Sequence, residues 1–172
     1  DSIFGTGIAA TQPAIYTGGA QTAGIVNFNG QSGVMLSTGR LIDGLAPNLS
    51  DNSSGISSNA GDLSANAALG VVTTDSTSLQ MEFQFGDGTI GGDLNLELRF
   101  LSEEYNELTG QDVLAVLIDG VNIALVPGTA NPINSATINR TNNAFLYYNN
   151  DLNDGGTYLQ QTAYDGFTAP LT

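Results

Sequence analysis

The sequence has no cysteine, no histidine, no tryptophan and no lysine. Without histidine and cysteine there is no Ser-His-Asp or Cys-His catalytic machinery, no thiolate nucleophile, no disulfide and no imidazole or thiolate zinc site. Without lysine there is no Schiff-base chemistry, no phosphate-binding P-loop and no Lys-Asn crosslink. Positive charge is scarce: three basic residues face 17 acidic ones, for a net charge of −14. Phosphate backbones are held by clustered basic residues, so nucleic acid is excluded as a natural partner. Long apolar runs are missing too. The longest, residues 113–118, is too short to cross a bilayer as a helix, and the first thirty residues carry no basic n-region, so no membrane insertion of this segment is expected, and any signal or anchor is expected outside it. Carboxylates, amides and hydroxyls remain, suited to binding hard cations through oxygen or to carboxylate-only catalysis.

With 172 residues, 41% of them hydrophobic, the chain has material for one core, and a single domain over residues 1–172 is expected. It begins with Asp rather than Met, as a segment excised from a much larger protein would.

Period-2 alternation dominates the middle. Leu79, Met81, Phe83 and Phe85 alternate with polar residues, as do Leu94, Leu96, Leu98 and Phe100 beyond a Gly-Asp-Gly turn. Residues 113–118 and 121–126 are apolar on both faces and joined by Asp119-Gly120, a hairpin signal. Weaker strands are expected at 14–17, 24–29, 34–38, 69–73, 145–148 and 157–160. One helix is expected at about 62–69, behind an Asp62 N-cap. Residues 46–59 read as a long loop. The fold class is therefore all-β, an antiparallel β-sandwich with one short helix.

No basic residue falls between Arg99 and Arg140, yet Glu103, Glu104, Glu107, Asp112 and Asp119 do. They follow a strand, so chain connectivity holds the first four within range of mutual repulsion. With Asn106 and backbone carbonyls they form the donor mixture that six- to eight-coordinate Ca²⁺ accepts. The competing readings are a solvated acidic loop and a carboxylate-pair glycosidase. Adjacent strand residues point to opposite faces, which places Glu103 and Glu104 poorly for flanking one bond. A second cluster, Asn149, Asn150, Asp151, Asn153, Asp154 and Gly155-Gly156 followed by Asp165-Gly166, reads as an Asn-rich turn or a second calcium or ligand-binding loop. It lacks the bidentate Glu and flanking helices of an EF-hand.

The string Ser102-Glu103-Glu104-Tyr105-Asn106-Glu107 resembles the bacterial extracellular choice-of-anchor L type domain. Leu36-Ser37-Thr38-Gly39, Gly61-Asp62-Leu63, the Asp119–Gly128 segment with its Asn-Ile-Ala-Leu-Val-Pro-Gly end, and Tyr164-Asp165-Gly166-Phe167-Thr168 follow the same order. Domains of this kind resemble the calcium-dependent peptide-binding domains of bacterial repeats-in-toxin (RTX) adhesins. The resemblance implies a non-enzymatic, monomeric module, secreted to the bacterial cell surface, binding several Ca²⁺ ions. Its implied partner is a peptide or protein C-terminus on another cell, captured for adhesion or biofilm formation. A lectin-like glycan-binding module and a calcium-stiffened spacer are the alternatives. Carried over by position, the metal set is Glu103, Glu104, Asn106, Asp112 and Asp165. The expected ligand-binding residues are Tyr105, Asp154, Gly155 and Tyr158. The resemblance implies that family members continue past the Asp-Gly-Phe-Thr motif into further strands, whereas this chain stops at Thr172; either its last strands are missing or this member closes its sheet differently.

Overall fold

The computed structural model describes residues 8–51, 63–86, 91–107 and 112–172. Its elements in chain order are β1 (Ile8–Ala10), β2 (Ile15–Thr17), β3 (Ala23–Phe28), β4 (Gln31–Leu36), α1 (Leu63–Leu69), β5 (Ser78–Gln80), β6 (Phe83–Phe85), β7 (Leu101–Ser102), β8 (Val113–Leu114), β9 (Leu117–Ile118), β10 (Val121–Asn122), β11 (Ile133–Asn134), β12 (Tyr147–Asn149) and β13 (Gly166–Thr168). Two 3₁₀ turns, Leu41–Gly44 and Ala144–Leu146, complete the set. Every pairing among the described strands is antiparallel: β1–β6, β2–β5, β3–β4, β8–β11, β9–β10 and the three-stranded sheet β12–β13–β7. The fold is all-β with one short helix. No helix among the described residues is long and apolar enough to cross a membrane.

Local chemistry accounts for most of these elements. Asp119 and Gly120 both adopt positive φ, 50° and 80°, as a two-residue turn between right-twisted strands requires, and β9 and β10 pair across it. Helix α1 (Leu-Ser-Ala-Asn-Ala-Ala-Leu) is built of good helix formers and ends where Gly70, at φ 67°, donates its N–H to Asn66 O. That ending removes the strand expected at 69–73: Leu69 belongs to the helix, and Val71 and Val72 are exposed beyond it. The expected Asp62 cap and the 87–88 part of the Gly-Asp-Gly turn lie outside the described residues.

Ladders are shorter than the periodicity predicts. Residues 79–85 divide into β5 and β6, which pair with different partners. Residues 94–100 keep the alternation in burial, but their ladder contact is a single bridge in which Leu98 and Leu171 exchange N–H···O bonds of 2.8 and 2.9 Å. Residues 157–160 form a turn instead of a strand, closed by Gln161 N–H to Tyr158 O.

The β12–β13–β7 sheet organises the rest. On one face Tyr147 and Gly166 receive Tyr105, whose ring centre lies 4.7 Å from that of Tyr147 and 6.0 Å from that of Phe100. This joins the core of Phe100, Tyr105, Ala124, Val126, Ile133, Ile138 and Leu171. Each such burial stabilises the fold by about 1.5–3 kcal/mol for the larger apolar side chains. On the other face Tyr148 and its register partner Phe167 meet Tyr158 and Phe28 through ring contacts of 5.2–5.5 Å. Phe28 thereby lays the β3–β4 hairpin over that face. The strand period of two, which sends neighbouring residues to opposite faces, makes this two-sided packing.

Candidate metal centre

Register in the three-stranded sheet decides which polar residues meet. Gly166 pairs with Ser102 on one side and with Asn149 on the other. The end of β7, the start of β13 and the end of β12 therefore lie at one rim of the sheet. Glu103 to Glu107 leave β7 there, Asp165 precedes β13, and Asn150 and Asp151 leave β12. Two segments more than forty residues apart in sequence, which could have been separate clusters, occupy the same rim.

The tightest grouping at that rim is Asp51, Asp151 and Asp165, with carboxylate oxygens all within 4.8 Å of one another. Asp151 and Asp165 are fully buried. A Ca²⁺ ion with oxygen ligands at about 2.3–2.6 Å spans oxygens up to about twice that distance apart, so this spacing matches a shared cation. Glu107 stands beside the three. Burial, then the charges of Asp151, Asp165 and Asp51, push its carboxyl up to about 7, and one of its oxygens is buried without a hydrogen-bond partner. Amides supply partial compensation. Asn106 Nδ2 donates to Asp151 Oδ2 at 2.8 Å and to Asn149 Oδ1 at 3.1 Å, and Asn48 Nδ2 donates to Asp165 Oδ1 at 3.0 Å and to Asn150 O at 2.9 Å. The Oδ1 atoms of Asn48 and Asn150, both residues buried, have no hydrogen-bond partner. Burial pushes the Asp151 carboxyl up, but the Asn106 amide and the backbone N–H groups of Asp154 and Asn153 outweigh it and hold the carboxyl below its usual range. No arginine bonds directly to this cluster: the ion pairs among the described residues are Arg40–Asp43, Arg99–Glu97 and Arg140–Asp154.

A second grouping forms around Ser102. Its hydroxyl lies 2.7 Å from Glu104 Oε2 and 3.1 Å from Asp112 Oδ2, and it accepts the Glu104 N–H. One hydroxyl proton cannot serve two carboxylates. Burial first, and then the hydrogen bond and charge of Glu104, push Asp112 up to about 7. Glu103 is half-buried on the side of Tyr164; burial raises that phenol, the Ser37 hydroxyl opposes the rise, and the charges of Glu103 and Asp112 add to it.

The five residues expected to hold metal are thus divided. Glu104 and Asp112 share Ser102, with Glu103 nearby, whereas Asn106 and Asp165 belong to the other grouping, with Asp151. Sequence reading grouped Asp151 with Asp165 in the second cluster, apart from Asn106, and left Asp51 in a long loop; strand register brings Asn106 to Asp151, and the Asn48 hydrogen bonds tie the loop of Asp51 to Asp165. Asp119 is exposed in the β9–β10 turn.

Of the expected ligand-binding residues, Tyr105 requires correction. It is fully buried against Phe100 and Tyr147, so it is a core side chain with no surface to offer. Asp154 and Gly155 are exposed on the loop after Asp151, where Gly155 turns the chain at φ 83°. Tyr158 is half-buried against Tyr148 and Phe167.

Comparison with known proteins gives one family. The model of the family described as Choice-of-anchor L domain matches residues 6–172. No curated protein and no solved structure matches the chain.

Proposed function

Because the chain belongs to the choice-of-anchor L family and is a surface-associated, adhesion-type domain, we propose that it is a calcium-dependent module that captures the C-terminal carboxylate of peptide partners. The setting proposed for it is a bacterial adhesin of the repeats-in-toxin kind, active in attachment and biofilm formation. One observation carries this reading: three carboxylates, two of them fully buried, bring their oxygens within 4.8 Å of one another. Like charges in that arrangement call for a cation or protons. The donor set of carboxylate and amide oxygens suits a hard ion. Asp51, Asp151, Asp165 and Glu107 would hold it, with the Asn48 and Asn150 amide oxygens at hand. When bound, the ion would supply the local positive charge that an anionic peptide end needs on a chain of net charge −14. Binding, not turnover, is the proposed role. Glu104 and Asp112 sit in hydrogen-bond contact around one hydroxyl, closer than the roughly 5–5.5 Å of a retaining glycosidase pair.

Isothermal titration tests the proposal, using a panel of short peptides with free or amidated C-termini, in calcium and after metal stripping. Calcium-dependent binding of the free-acid peptides is expected. Equal affinity with and without metal would exclude the ion from recognition.

A further inference from the structure

We infer that Arg140 recognises the ligand's carboxylate beside the acidic cluster, exchanging its bond to Asp154 for one to the incoming anion. The inference rests on the carboxylate-capture reading above and names a specificity-determining residue for it.

A comparison of the three arginines singles it out. Arg40 is spent in a two-pronged pair with Asp43, through Nε and Nη2 at 2.8 Å each. Arg99 has a side chain 17% exposed, donates to Gln31 and lies over the Phe28 ring at 5.5 Å. Arg140 is 51% exposed and, among the described residues, makes one hydrogen bond, from Nη2 to Asp154 Oδ2 at 3.0 Å. One edge of its planar fork is therefore open, and that fork matches a carboxylate through two parallel bonds. An exposed ion pair of this kind contributes little, so its exchange costs little.

Position supports the same assignment. The Asp154 N–H donates to Asp151 Oδ1 at 2.9 Å, so the guanidinium stands one residue removed from the buried cluster. The segment carrying Arg140 is braced from within. The buried Asn139 side chain donates to Ser135 O and Ala136 O and accepts from the Thr141 N–H, the Thr141 hydroxyl and the Asn142 N–H. A rigid backbone thus presents a long cationic side chain beside the loop of Asp151, through its bond to Asp154.

The experiment uses the calcium-saturated chain and N-acetylglycyltyrosine as free acid and as amide. Affinity is read by titration, and the Arg140 Nε–H resonance by heteronuclear NMR. The free acid is expected to bind about tenfold more tightly than the amide and to shift that resonance. Arg140→Gln should erase most of the preference, and Arg140→Lys should restore part of it, while calcium affinity stays within about twofold in both. If the free acid binds in a calcium-dependent way but Arg140→Gln retains the full preference, or the Nε–H resonance does not move, this inference is overturned and the capture reading stands. If neither form binds the unaltered protein, both fall together.

Discussion

Asn48 and Asp165, 117 positions apart in sequence, are joined by a buried hydrogen bond of 3.0 Å from the amide Nδ2 to a carboxylate oxygen. The same Nδ2 holds Asn150 O, so this one amide ties the 46–51 loop to both strand ends that carry Asp151 and Asp165. Asn48→Ala removes the amide that donates to Asp165 Oδ1 and to Asn150 O, two buried acceptors. The expected loss is about 1–3 kcal/mol, read as a lower midpoint in urea. An unchanged midpoint would mean that the loop is not anchored through Asn48.

Calcium should stabilise the folded chain by mass action, about 2.7 kcal/mol at a free concentration one hundred times Kd. Asp151→Asn and Asp165→Asn each remove a charge from the cluster, so each should abolish most of this increment. In the metal-stripped state Asp165→Asn should melt near or above the unaltered protein, because a repulsive charge is gone, whereas Asp151→Asn should melt lower, because the Asn106 amide and the backbone N–H groups of Asn153 and Asp154 favour its ionised carboxylate. Differential scanning calorimetry with and without calcium separates the two effects. Equal calcium-induced shifts in the unaltered and variant proteins would remove these aspartates from the site.

Tyr105 tests the division between core and surface. Its side chain is fully buried, and its hydroxyl finds no hydrogen-bond partner. Tyr105→Phe deletes an unsatisfied polar atom and should be neutral or mildly stabilising. Tyr105→Ala opens a cavity among Phe100, Tyr147 and Gly166 and should cost about 3–5 kcal/mol, as aromatic truncations in cores do. Peptide affinity of the Phe variant should match that of the unaltered protein, whereas a residue in contact with ligand would change it.

How far the sequence could be read depended on whether a signal was local. Asp119-Gly120 announced its hairpin because turn geometry is written in two adjacent residues. Leu94, Leu96, Leu98 and Phe100 announced their inward face because strand alternation is local as well. The ladder partner of Leu98 is Leu171, and nothing near residue 98 encodes that choice. The acidic cluster at the sheet rim is non-local in the same way. Glu104 and Asp112 were legible as a pair because eight residues separate them, but Asp51, Asp151 and Asp165 converge only through the register of Gly166 with Asn149 and Ser102 and through the Asn48 bridge. Tyr105, expected at the ligand surface, lies between the polar residues Glu104 and Asn106 in sequence, but its ring turns inward over Gly166, a placement no local pattern encodes.

Gly156 is a backbone requirement of the cluster. A Cβ at this position would strike the backbone of Asn150 and Asp151, which cannot yield as a side chain could. Its N–H also donates to Asp151 O at 2.7 Å, closing the loop that positions the Asp151 carboxylate. Gly156→Ala should therefore lower calcium affinity without touching a ligand. Gly155→Ala strains a positive φ but meets open space, so it should cost stability of order 1 kcal/mol and leave calcium affinity largely intact. Titration of both variants with calcium checks the contrast, and equal losses would mean that the loop does not fix Asp151.

Proton competition gives the last expectation. In the folded protein Asp112 is pushed up to about 7 by burial and by Glu104, and Glu107 is pushed up to about 7 by burial and by Asp151, Asp165 and Asp51. In the unfolded chain both titrate near about 4. Between these values the folded state holds more protons than the unfolded state, so metal-free stability falls as pH rises. The contribution of the protonated carboxyls is fully present below about pH 4 and is lost by the time pH passes about 7. The metal-stripped protein should therefore melt at a lower temperature at about pH 8 than at about pH 5, and Glu104→Gln or Glu107→Gln should each reduce that slope. Calcium reverses the sign, because an ion replaces the protons and binds best to the ionised carboxylates; its stabilising increment should grow from about pH 5 to about pH 8. Melting curves of the stripped protein across this range decide the matter: a midpoint that climbs with pH without metal would show that these carboxyls are not held protonated by one another.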